Sequence, residues 1–88
     1  MEKTTGFHVD YYLVEIKEAR RGVTGIVECD DIIEALGLTF AEGCVFKEIW
    51  RTARARQGVG KPGHTQRYGR EKVLHYAEFL YNKEVAGG

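Results

Sequence analysis

Apolar residues recur at intervals of three and four through much of the chain, and that spacing predicts helices. From Cys29 onward, Cys29, Ile32, Ile33 and Leu36 fall on one helical face while Asp30, Asp31 and Glu34 fall off it. Gly37 ends the run as a C-cap. Leu38 then leads directly to a second start signal, Thr39 followed three residues later by Glu42, the pattern of a capping box. The second helix therefore begins at Phe40 and extends to Arg56, with Ala41, Val45, Phe46, Ile49, Trp50 and Ala53 on its apolar arc. A last helix is predicted over 70–82, with Val73, Leu74, Tyr76, Ala77, Leu80 and Tyr81 as its core arc. His75 and Phe79 lie off that arc, and an outward aromatic suggests a subunit contact.

The first 28 residues are patterned differently. Met1 to Gly6 reads as a polar, mobile tail. The run from Phe7 to Ile16 is rich in β-branched and aromatic residues. As a strand it places Val9, Tyr11 and Leu13 on one face and Tyr12, Val14 and Ile16 on the other; as a helix it groups Val9, Tyr12, Leu13 and Ile16, and periodicity does not choose. Arg20, Arg21 and Gly22 read as a turn and Val23 to Val27 as an extended piece, so a hairpin is one outcome. Residues 57–69, QGVGKPGHTQRYG, read as a long glycine-rich basic loop, and residues 84–88 as a closing tail. The predicted fold is one domain over residues 1–88, mainly α, with about three helices in a small oligomeric bundle and a short N-terminal β-hairpin as an option.

Length changes this picture by limiting the core. A chain of 88 residues buries only about 60 to 65% of its unfolded surface. Cys29 and Cys44 form no CxxC pair and fit small buried hydrophobes better than redox or metal ligands. No zinc spacing or haem motif is present, so a homo-oligomer is the expected source of further stability. Nothing at the start reads as a signal peptide and no apolar run approaches about 18 residues, so a cytoplasmic protein without a membrane segment is expected.

Charge adds a direction. Residues 1–44 hold four Lys or Arg against nine Asp or Glu, and residues 45–88 hold nine against four, balances of −5 and +5. A surface basic all over, as a non-specific nucleic-acid binder needs, is not expected; a local anion site is compatible. Lys47, Arg51 and Arg54 form a stripe beside Trp50, and Glu48 is the only acid on that helix after its first turn. The stripe thus lacks most of its local i, i+3 and i, i+4 partners. It reads either as a solvated face or as a phosphate site, and in the second case Arg51 is dispensable for the fold. The loop adds Lys61, His64, Arg67 and Tyr68 with no acid, a composition that can cradle phosphate without the spacing of a P-loop. Tyr12, Trp50 and Tyr68 offer rings for stacking a base. Asp31 and Glu34, one turn apart, are the candidate Mg2+ ligands, and the last helix supplies no second such pair, which counts against a pyrophosphohydrolase. No catalytic residue is assigned.

The segments VECDDIIEALGL, FAEGCVFKEIWR and GREKVLHYAEFLY, with Glu28, Asp31, Phe40, Gly43, Lys47, Trp50, Arg51, Tyr76 and Leu80 at their key positions, resemble the small phage-encoded family called SaV-like, which includes a nucleotide kinase of a short-tailed phage. The resemblance spans residues 26–81. It departs at the start, where His8 is separated from Tyr11 and Tyr12 instead of forming an adjacent His-Tyr pair, and at the longer loop. It implies a helical oligomer of phage or prophage origin acting on nucleotides in the host cytoplasm, with kinase-like phosphoryl transfer from ATP aided by Mg2+. The alternative is a non-catalytic, anti-defence protein that sequesters a nucleotide signal or inhibits a host defence protein or nucleic-acid complex, with its acidic first half as contact face.

Overall fold

The structure, a computed structural model, describes residues 10–87. The leading tail, His8 with the rest of the first part of the expected strand, and Gly88 lie outside the described residues. Asp10–Tyr12 make one 3-10 turn, and the chain then extends as β1 (Leu13–Ile16). β1 pairs antiparallel with β2 (Gly25–Glu28), with Leu13 opposite Glu28 and Ile16 opposite Gly25. Residues 10–16 are therefore divided between a helical turn and a strand. The connection closes where Gly22, at φ 81, donates its N–H to the Ala19 carbonyl at 3.0 Å. A two-stranded hairpin alone is marginal in water. Here β2 runs without a break into α1 (Cys29–Leu36), which anchors it.

The helix boundaries follow local chemistry. α1 ends at Gly37, whose φ of 65 lets its N–H reach the Glu34 carbonyl at 3.0 Å. α2 (Phe40–Arg56) begins with the complete capping box: the Thr39 N–H donates to Glu42 Oε1 at 2.9 Å and the Glu42 N–H to Thr39 Oγ1 at 3.2 Å. α3 (Gln66–Gly87) starts four residues before the expected Arg70 and its backbone stays helical beyond Asn82. The early start has a cause, since the Thr65 hydroxyl accepts the Tyr68 N–H at 3.0 Å and caps the first turn. The connecting loop is thus 57–65, and Gly69 lies inside the helix.

α2 and α3 lie along each other as a helical hairpin, the most extensive packing in the molecule. Gly69 makes that approach possible: a Cβ there would stand 2.1 Å from Thr52 Oγ1 and 2.9 Å from His64 Nε2. α1 packs near the start of α2, where Ile33 reaches Gly43.

The inward face of α2 matches only part of the apolar arc that periodicity selects: Ala41 is buried and Val45, Phe46, Trp50 and Ala53 are half-buried, but Ile49 is not. Ala41, Gly43, Glu48 and Thr52 are buried, whereas Ile49 is 53% exposed. Leu36, Leu74 and Tyr81, expected on core faces, are also exposed. Among the described residues, the buried apolar side chains are Tyr12, Cys29 and Ala41, and the buried polar ones Glu48, Thr52 and His64. The helix is rotated about its axis relative to its hydrophobic pattern because polar groups take its inner side.

Candidate functional site

The centre of the molecule is a polar network that starts from Arg51. Its Nε donates to the Tyr12 hydroxyl at 2.8 Å, its Nη2 donates to the same oxygen, and its Nη1 donates to Glu48 Oε2 at 3.0 Å. Burial works against the guanidinium charge, but the bond to Tyr12 and the charges of Tyr12 and Glu48 outweigh it, so the pKa of Arg51 lies above its ordinary value. The neighbouring Trp50 donates Nε1–H to the Tyr11 carbonyl at 2.9 Å. Two adjacent residues of α2 thereby hold the 3-10 turn in place.

Glu48, only 2% exposed, extends the network to the loop. Its Oε1 lies 3.9 Å from His64 Nε2, and both atoms are buried without a hydrogen-bond partner, as is Thr52 Oγ1. An imidazole facing a carboxylate at this distance can close to a hydrogen bond with a small movement of the loop. His64 also lines a recess of about 280 Å3 with Lys61, Pro62, Gly63 and Tyr68. Tyr68 stands edge-on to His64, with ring centroids 5.3 Å apart, and Lys72 Nζ lies 5.5 Å from the Tyr68 ring centroid. The recess sits at the start of α3, whose first turn contains no acid. The partial positive charge of the helix N-terminus and the Lys61 ammonium favour an anion at this corner, with the buried Glu48 carboxylate screened behind the His64 ring.

No protein-family model, characterised protein or solved structure matches the chain. The chemistry therefore rests on the geometry of its own residues.

That geometry divides the residues singled out from the sequence. Lys61 and His64 come together in the recess, with Tyr68 beside them. Arg67, nearby in sequence, is 90% exposed and pairs with Glu71 at 3.3 Å. Lys47, Arg51 and Tyr12 form a second group, with Lys47 Nζ 5.7 Å from the Tyr12 ring centroid and 3.9 Å from Asp30 Oδ1. Arg54 turns away to Gln57 Oε1 at 2.7 Å. The stripe is not an unpaired line of charge: Lys47 and Arg51 meet Asp30 and Tyr12 from other elements, and Arg51 and Arg54 also meet Glu48 and Gln57 three residues away. Trp50, with its N–H committed to Tyr11 and its ring 6.0 Å from Phe46, is part of the packing.

Asp31 and Glu34 stand exposed on α1. No group of three or more His, Cys, Asp or Glu that could hold a metal occurs among the described residues. Mg2+ needs fewer protein ligands than that when nucleotide phosphates complete its shell. Cys29 is fully buried and its thiol is pushed up to about 11, chiefly by burial and then by Asp30, which makes it an inert packing residue.

Sequence reasoning missed Glu48, Thr52 and Gly69. The available signal was a second stripe on α2, Ala41, Cys44, Glu48, Thr52 and Ala55, at helical spacing and made of small residues around one carboxylate. Gly69 had the composition of a loop residue, and only the Thr52 contact explains it.

Proposed function

We propose that the protein binds a phosphate-bearing ligand, a nucleotide, at the recess over the start of α3. The observation that carries this reading is the convergence of Lys61, His64 and Tyr68 on one recess beside a helix start free of acids. The recess is at the small end for ligand sites, roughly 300 Å3 and upward, so it suits a phosphate rather than a whole nucleotide. The phosphate meets the Lys61 ammonium beside the positive end of the α3 dipole, while the half-exposed Tyr68 ring offers a base a stacking surface outside. Resemblance to the phage family makes kinase-like transfer from ATP with Mg2+ the corresponding activity. Asp31 and Glu34 would be its metal ligands, yet α1 packs near Gly43, about 14 Å along α2 from Thr52. The proposal is therefore first one of binding.

A second reading, a non-catalytic protein that inhibits a host partner in the host cytoplasm, is favoured by the corner between α1 and α2. There Leu36 and Phe40 are exposed close in sequence to exposed Asp31 and Glu34.

A thermal-shift panel of nucleotides with and without Mg2+ tests the first reading. A nucleotide at about a hundredfold its Kd adds about 2.7 kcal/mol to stability. That gain is expected to disappear in Lys61→Ala and to shrink in Tyr68→Ala. If no nucleotide raises Tm, or if the gain survives both substitutions, the recess is not the site. Recovery of unchanged ligand after incubation with ATP and Mg2+ would rule out turnover while leaving binding intact.

A further inference from the structure

Each helix of the α2–α3 hairpin carries a second stripe, which adjoins the Glu48 network at Thr52 and faces outward from it. On α2, Glu42, Ile49 and Arg56 recur at seven-residue intervals, with Ala53 between the last two. On α3, Arg70, Leu74, Ala77 and Tyr81 recur at steps of four, three and four. This is the spacing of helices that pack in bundles. The stripes border one another, since Ile49, Thr52, Ala53 and Arg56 line a groove of about 320 Å3 with Arg70 and Val73. Ile49, Leu74 and Tyr81 are all more than half exposed on this face.

Its charges have a direction. Arg56 and Arg70 lie toward the loop end and Glu42 and Glu78 toward the opposite end, with Ile49, Ala53, Leu74 and Ala77 between them and Tyr81 one turn beyond Glu78. Ile49 is midway between Glu42 and Arg56 in sequence. A two-fold axis near Ile49 therefore sets Arg56 of each copy against Glu42 of the other, and Arg70 against Glu78. A parallel arrangement would set arginine on arginine. Arg56 and Glu78 have no ion-pair partner among the described residues, and one oxygen of Glu42 remains beyond the capping bond.

We propose that this face is the interface of a two-fold dimer, in which the α2–α3 hairpins of two copies close into an antiparallel four-helix bundle. The occupant of the groove is a second copy of this chain, selected by apolar fit at the centre and opposite charge at the ends. The inference does not depend on the identity of any ligand. It gives Ile49, Leu74 and Tyr81 the burial that their own chain does not supply.

Sedimentation velocity on the full chain across a concentration series tests it. The wild type is expected to be dimeric and Leu74→Glu monomeric, with circular dichroism unchanged. R70E and E78R each weaken the dimer by about tenfold or more, and the double reversal R70E/E78R restores it to within about threefold. The restoration cannot be internal to one helix, where the two positions are about 12 Å apart. A monomeric wild type at about 100 μM, far above a micromolar Kd, overturns the proposal. So does a dimer indifferent to Leu74→Glu, or a double reversal no tighter than the single ones. If Leu74→Glu fails to fold, the exposed charge reversals decide.

Discussion

The two sides of α2 invert the usual arrangement of an amphipathic helix. The side facing α3 and the loop carries Glu48 and Thr52, both buried, whereas the adjoining side carries Ile49 and Ala53 around an open groove whose floor reaches Thr52. A buried carboxylate contributes little net stability even when paired, and its benefit lies in fixing which groups meet. The inner side thus specifies an arrangement, with Arg51 and His64 drawn to one acid and Tyr12 held by Arg51. The outer side holds apolar surface in reserve. The lesson is that in a chain this short the hydrophobic pattern can describe an assembly, while the single chain is organised by polar contacts.

The comparison is most severely tested from the inside. Arg51→Ala leaves the Glu48 carboxylate buried without its cation and should cost about 3 to 5 kcal/mol, read from urea melts. A loss below about 1 kcal/mol, the worth of an ordinary surface pair, would mean that the network does not organise the interior. Gly69→Ala comes next. The added methyl meets the Thr52 hydroxyl and His64, and should cost about 1 to 3 kcal/mol through overpacking; an unchanged melt would show that the helices can separate without penalty. The smallest effect belongs to the outer side. Ile49→Ser should alter the stability of dilute protein by no more than about 0.5 kcal/mol, as at an ordinary surface position. A larger loss that is independent of concentration would place Ile49 in the core of the single chain.

Boundaries were the most legible part of the fold, because they depend on residues adjacent in sequence. Thr39 with Glu42 located the start of α2, and Gly37 located the end of α1. The rotation of α2 was not legible, since periodicity assumes that apolar residues point inward and here a Glu and a Thr do so. The start of α3 was hidden by Gly69, whose absent side chain serves helix contact rather than a turn. For the candidate site, sequence found Lys61, His64 and Tyr68 as a basic aromatic loop but could not see Glu48 behind them. The stripe was misjudged for a related reason. Counting neighbours three and four residues away cannot register Tyr12, which meets Arg51 across 39 residues of sequence.

That same span has a consequence in time. The α2–α3 hairpin closes across the short 57–65 loop and can zip outward from the Thr52–Gly69 contact, and units closed by short loops form early in folding. Tyr11 and Tyr12 must close a much longer segment before they meet Trp50 and Arg51, so their docking belongs to the late side of the barrier. Contacts made after the barrier govern how fast the native state is left rather than how fast it is reached. The N-terminal turn is in this sense a latch, setting the lifetime of the folded chain, and Trp50, the sole tryptophan, sits where its fluorescence reports the latch opening.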